Sequence, residues 1–126
     1  MKYTQEQLEG MINFELNCLV AEYDKGEKLP KEWRESHFFR RLGDCLLSSD
    51  GDFSVKTLVK DYCNSWADMG PLIQELSIDI EWPESLGQAS KYMQGTEDIF
   101  VGFKRKEEAL RAAAIVYILV KQEGLA

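Results

Sequence analysis

The chain has 126 residues and a mass of 14.5 kDa, the size of a single domain with one hydrophobic core. Its 44% hydrophobic and 29% charged residues are typical of a globular protein and exclude a disordered or low-complexity chain. The formal net charge of -7 disfavours nucleic acids and anionic membranes as partners, because it repels phosphate groups. We therefore predict one acidic domain that spans residues 1–126.

The cysteines and the first residues bear on the cellular compartment. Cys18, Cys45 and Cys63 are odd in number and form no Cys-x-x-Cys pair, so they indicate reduced thiols rather than a zinc site or a disulfide framework. The start of the chain is polar where a signal peptide would need an apolar run. Both features favour a cytoplasmic protein.

The N-terminal segment is predicted to be helical. Thr4 and Gln7 have the spacing of a capping box, and apolar residues then recur at helical spacing as far as Gly26. A glycine in this stretch and Asn13, a good N-cap residue, leave an alternative open. In that alternative, a short turn precedes a helix that begins at Phe14.

A second helix is predicted over residues 30–47, with a proline at its first position. The polar run at residues 48–52 ends this helix in a turn, and the stretch after it is ambiguous. An Asp-x-Asp spacing in the turn resembles a calcium loop, but valine stands where that loop needs glycine. We therefore predict no metal site.

A third helix is predicted through the sequence WADMGPLIQEL. Asn64 or Ser65 can cap it, and Pro71 is tolerable only near the first turn or with a kink. Its packing side is predicted to consist of apolar residues at helical spacing: Trp66, Met69, Leu72, Ile73 and Leu76.

Three short strands are predicted next. Ile78, Ile80 and Trp82 alternate with polar residues, which is typical of a half-buried strand. Residues 92–93 and 99–103 are predicted to form two further strands on either side of a turn. Together they predict a small antiparallel sheet.

The last helix is predicted to begin at residues 106–108 and to end near residues 121–124. Between Ala109 and Val120 its only polar side chains are Arg111 and Tyr117, so it should be buried almost all round. Its apolar stretch is shorter than the roughly 20 residues of a membrane span. The predicted fold class is α+β: a sheet of about three strands packed with three to four helices, α-β-α sandwich-like, with the C-terminal helix central and buried.

Arg111 is the most unusual residue of this helix, because a buried guanidinium needs a carboxylate or several carbonyl groups as partners. Asp61 and Asp68 are the natural candidates in the sequence. A structural ion pair is a commoner role for such an arginine than ligand binding.

Catalytic motifs are absent from the sequence. The sole histidine, His37, could pair with Cys63 as base and nucleophile, but no local signature supports this pair. Phosphate-binding glycine loops, His-Glu-x-x-His and nucleophile elbows do not occur. The one basic cluster, Lys104 to Lys106, is best interpreted as a solvated connection in an acidic chain. We predict no catalytic residues and no cofactor.

Three stretches together resemble, in the same order, the NinX-like family of small proteins from lambdoid and related tailed phages. They are NFELN with VAE, DYCNSWADMGPLI, and ALRAAAIVY. The match departs at residues 25–60 and 84–105. The resemblance implies a phage accessory protein in the host cytoplasm, with helices around a small sheet and no established activity. Residues at family positions become candidate binding residues: Tyr62, Cys63, Asn64, Asp68 and Arg111, together with Pro71.

Three functions remain open on this basis. The leading hypothesis is a non-enzymatic binder of a host or phage protein, for example an inhibitor of host defence. The second is a small-molecule-binding protein or enzyme with a pocket beside Tyr62, Cys63, Asn64 and Arg111. The third is a DNA-mimicking inhibitor, which would require many acids on one face: Asp44, Asp50, Asp52, Asp61, Asp68, Glu75, Asp79, Glu81 and Glu84.

Overall fold

The computed structural model describes residues 2–25, 45–47, 55–58, 61–82, 86–93 and 97–124. Its helices in these residues are α1 (Gln5–Glu9), α2 (Asn13–Lys25), α3 (Trp66–Leu76) and α4 (Ala109–Gln122), the last preceded by a 3-10 turn (Lys106–Glu108). Its strands there are β1 (Cys45–Leu47), β2 (Val55–Leu58), β3 (Asp79–Glu81), β4 (Gly87–Lys91) and β5 (Ile99–Phe103).

The N-terminal segment is interrupted. The predicted capping box is present: the Thr4 hydroxyl accepts from the Gln7 backbone N–H at 3.1 Å, and the Gln7 side chain accepts from the Thr4 N–H at 2.9 Å. Helix α1 nevertheless ends after five residues at Gly10, and α2 begins at Asn13. The interrupted alternative is therefore confirmed, and the single continuous helix is wrong.

Helix α3 agrees with its predicted boundaries. Ser65 is the N-cap, and its hydroxyl accepts from the backbone N–H of Asp68 at 3.3 Å. Pro71 lies in the second turn, on the exposed side of the helix. The predicted packing side is wrong for Trp66, which is 54% exposed, because the residue lies at the helix start and faces away from the core.

The main sheet is antiparallel, with the strand order β3-β4-β5. Ala89 of β4 pairs with Ile80 on one side and Val101 on the other. The predicted strand at residues 92–93 is wrong, because β4 ends at Lys91. Its sequence GQASK has little intrinsic strand preference, so this strand forms because it pairs with β3 on one side and β5 on the other.

A second, two-stranded sheet pairs β1 with β2. The predicted helix over residues 30–47 is therefore wrong at residues 45–47, and its remainder lies outside the described residues together with the predicted turn at residues 48–52. A short apolar run such as Cys-Leu-Leu fits either element, and the pairing with Val55–Leu58 decides it.

Helix α4 is the centre of the described fold. It contacts β4 and β5 on one side and α1, α2 and α3 on others. Ten of its residues are buried, including all of those from Ala112 to Ile118. The α+β class, the antiparallel sheet and the buried C-terminal helix packed on it are confirmed. The single-domain organisation stays a prediction.

Two glycines provide a matched stability test. A methyl group on Gly87 would overlap the ring of its cross-strand neighbour Phe103, whereas one on Gly70 in α3 would meet no atom within 4 Å. Gly87→Ala should therefore lower the free energy of unfolding by about 1–3 kcal/mol through overpacking. Gly70→Ala should change it by less than about 1 kcal/mol, because the helix preference of alanine is opposed by the contact of its methyl group with the ring of Pro71 that follows.

Urea unfolding of both variants beside the wild type measures these changes. Equal effects of the two substitutions would contradict the packing of β4 against β5.

Candidate functional site

The candidate residues begin at the turn that leads into α3. The carboxylate of Asp61 accepts from the side-chain amides of Asn17 at 3.1 Å and Asn64 at 3.2 Å. The Asn17 carbonyl oxygen in turn accepts from the backbone N–H of Cys63 at 3.0 Å. Asn17 is only 3% exposed, and both polar atoms of its side-chain amide have partners inside the protein, which ties this turn to α2.

Arg111 of α4 binds the corner between α1 and α2. Its guanidinium donates to the Asn13 side-chain oxygen at 2.8 Å and to the backbone carbonyls of Glu9, at 2.9 Å, and Met11. The sequence alternative of several carbonyls as partners is thus confirmed, and the candidates Asp61 and Asp68 are wrong. The break between α1 and α2 provides the physical reason, because carbonyls at the end of a helix lack intrahelical partners.

Cys63 lies between these two groups of contacts. It is fully buried, and its thiol donates to the backbone carbonyl of Asn13 at 3.8 Å. Burial raises the pKa of the thiol to about 12. The positive charge of Arg111 opposes this rise, and the negative charge of Asp61 adds to it. A thiol in this environment stays protonated at neutral pH and is not a nucleophile. The alternative partner His37 lies outside the described residues.

We call these connected residues the polar cluster: Asn13, Asn17, Asp61, Cys63, Asn64 and Arg111. It joins α2, the turn before α3, and α4 by hydrogen bonds. Three of the five predicted binding residues, Cys63, Asn64 and Arg111, belong to it. Their partners Asn13 and Asn17 were not predicted from the sequence. The signal was their spacing of four residues, which places both side chains on one face of a helix.

The other two predicted residues lie outside the polar cluster. Tyr62 is fully buried, and its hydroxyl donates to the carboxylate of Asp24 at 3.0 Å. Burial, and then the Asp24 charge, raise the pKa of Tyr62 above its ordinary value. Asp68 occupies the first turn of α3, where its charge favours the helix N-terminus. Among the described residues, its carboxylate makes no hydrogen bond to the cluster.

A small recess lies beside Arg111, between α1, β5 and α4. Its volume is about 200 Å³, and its apolar walls include Val101, Phe103 and Ile115. Tyr62, Cys63 and Asn64 do not line it. This recess is therefore not the predicted pocket beside all four residues, and that pocket stays a prediction.

A larger open groove lies between α3 and the start of β3. We call it the α3–β3 groove; its volume is about 750 Å³. Its walls are mostly apolar and are formed by Trp66, Ala67, Gly70, Pro71, Ile73, Gln74, Ser77, Ile78 and Asp79. Ser77 has a left-handed backbone conformation with φ of 54°, which turns the chain directly from α3 into β3 and so shapes the groove.

A metal site and a membrane-spanning helix are both absent from the described ranges. No group of three or more histidine, cysteine or acidic side chains in them could hold a metal ion. No helix there is long and apolar enough to cross a membrane.

Comparison with known proteins found no matching family model, no similar curated protein and no similar solved structure.

The buried thiol of Cys63 and the buried hydroxyls of Tyr62 and Tyr117 predict that the protein loses stability at high pH. Burial raises the pKa of Cys63, Tyr62 and Tyr117, so the fold favours their neutral forms. That contribution is complete below their unfolded pKa values, about 8.5 to 10, and is lost as the pH rises toward the folded values. We expect the free energy of unfolding to fall steeply between about pH 9 and pH 12.

Urea unfolding at a series of pH values measures this fall. The variant Tyr62→Phe removes one ionising group and should show a shallower slope, although its stability at neutral pH is lower because the bond to Asp24 is lost. Identical slopes for the two proteins would contradict the buried, neutral state of Tyr62.

Proposed function

We propose that this protein is a non-enzymatic accessory protein of a tailed bacteriophage that binds a host or phage protein in the host cytoplasm. The observation that carries the proposal is the exposed, largely apolar α3–β3 groove, headed by a tryptophan that is 54% exposed. Tryptophan is normally well buried in a monomer and is enriched where one protein binds another. An exposed apolar surface of this kind is typical of an interaction site.

The state of the polar cluster also supports binding over catalysis. Cys63 and Asn17 are buried, and their polar groups are paired within the protein. Arg111 uses three hydrogen bonds to hold the α1–α2 corner. These residues therefore serve the fold, and the groove is a larger exposed surface among the described residues.

The phage setting is supported by the resemblance to the NinX-like family. The stretch DYCNSWADMGPLI, the longest of the three, contains the turn of the polar cluster and most of α3. Its first residues build the cluster, and its last residues form the wall of the groove. Interference with a host-defence complex is a specific version of the proposal.

A small-molecule function is the second candidate, favoured by the recess beside Arg111. The guanidinium has five N–H groups, and three of them bind Asn13, Glu9 and Met11. The remaining two are the only cationic donors among the residues that line the recess. A volume of about 200 Å³ lies below the usual range for ligand pockets, so we place this candidate second.

DNA mimicry has less support. Asp61 is occupied by the amides of Asn17 and Asn64 and does not present its charge freely. Several of the other acids that mimicry would need, such as Asp50 and Glu84, lie outside the described residues.

Affinity purification tests the proposed function. The tagged protein is expressed in phage-infected host cells and purified under mild conditions, beside an unrelated tagged protein of similar size and acidity. We expect one host or phage protein to co-purify in stoichiometric amount with this protein only, as measured by quantitative mass spectrometry. Purification of the protein alone, at an expression level equal to the control, would contradict the proposal.

A further inference from the structure

Electrostatics around the α3–β3 groove indicate what kind of partner it fits. The described segment of residues 61–82, which forms the groove, contains no lysine, arginine or histidine. It contains five carboxylates: Asp61, Asp68, Glu75, Asp79 and Glu81. Asp61 is used in the polar cluster, and Glu75 binds Lys121 of α4 at 3.6 Å. Asp79 and Glu81 are exposed, and Asp79 lines the groove itself.

Shape and aromatic content add to the charge. Gly70 forms an open floor, because nothing lies within 4 Å of the place where a side chain would begin. Trp66 and Pro71 are exposed beside it, and Ile73 is half-buried. An indole ring of this exposure can bind apolar side chains along its face and can also bind a lysine or arginine through a cation–π contact.

We infer that the α3–β3 groove docks a protein segment that carries lysine or arginine residues interspersed with apolar side chains. This inference rests on the proposed function and names the chemistry of the partner. Apolar side chains would fill the space above Gly70 and against Trp66, and the cations would face Asp79 and Glu81. A second copy of this chain is a poor occupant, because two chains that each carry a net charge of -7 repel each other.

Peptide display on the purified full-length protein tests the inference. A random 12-residue library is selected for binding, and the most enriched peptides are synthesised with a fluorescent label. We expect these peptides to carry net positive charge and apolar residues, and their dissociation constants, measured by fluorescence anisotropy, to rise as salt is added. A failure to enrich any peptide, or enrichment of neutral or acidic peptides, would overturn the inference.

Variants then locate the binding site. Gly70→Leu fills the floor of the groove, and we expect it to weaken peptide binding by about tenfold or more, the effect of blocking an interface hot spot. Asp79→Lys reverses a charge inside the groove and should weaken binding by a similar factor. Its matched control is Glu97→Lys, an equal change at an exposed carboxylate beside β5, at the opposite edge of the sheet.

Thermal unfolding checks that each variant is folded. Gly70→Leu should unfold at a temperature close to that of the wild type, because the helix preference of leucine offsets the cost of a side chain before Pro71. Unchanged peptide binding by a folded Gly70→Leu, or equal losses for Asp79→Lys and Glu97→Lys, would overturn the inference.

The variants also separate this inference from the proposed function. If the protein co-purified from infected cells is retained by folded Gly70→Leu, the groove is not its docking site, while the binding function stands. If basic peptides bind the groove and no protein co-purifies, the groove assignment stands and the proposed phage function fails.

Discussion

The guanidinium of Arg111 is the constraint on which the arrangement of the helices depends. It lies in a helix whose neighbouring residues are almost all buried, and an unpaired charge there would be strongly destabilising. Its three acceptors are the carbonyl of Glu9 at the end of α1, the carbonyl of Met11 in the link that follows, and the side-chain oxygen of Asn13 at the start of α2. The two N-terminal helices must therefore meet at a corner, and that corner must lie against α4.

The same corner positions the turn before α3. Asn13 binds Arg111 through its side chain and the Cys63 thiol through its backbone carbonyl, while Asn17, one helical turn later, binds Asp61 and the backbone of Cys63. One face of α2 thus connects the last helix to the turn that starts α3. The direction of α3, and with it the wall of the α3–β3 groove, follows from these contacts.

Local patterns in the sequence correctly predicted one buried helix and two helix caps. The apolar surface of α4, the capping box of Thr4 and the Ser65 cap all agree with the structure, because each depends on residues close in the chain. Strand β4 was misplaced, since it has weak propensity and is formed by its neighbours β3 and β5. Strand β1 was taken for helix because its partner β2 lies eight or more residues further along the chain.

The candidate site likewise has features that the sequence predicted and features that it did not. Arg111 was recognisable as a cation that needs partners, and the structure places it partly buried. Two of its partners are backbone carbonyls about 100 residues earlier in the chain, and backbone groups leave no mark in a sequence. Trp66 was assigned to the core by its spacing, although helical spacing alone does not say on which side a terminal residue lies. The candidate residues Cys63, Asn64 and Arg111 hold the fold together, whereas Trp66 is exposed at the start of α3.

A double-mutant cycle between Arg111 and Asn13 tests this account most directly. The free energy of unfolding is measured for Arg111→Met, Asn13→Ala and the double variant. We expect both single substitutions to lower the free energy of unfolding. Because the two residues share a hydrogen bond, the loss in the double variant should be smaller than the sum of the two single losses by about 1–2 kcal/mol. Losses that add to within roughly 0.5 kcal/mol would contradict this account.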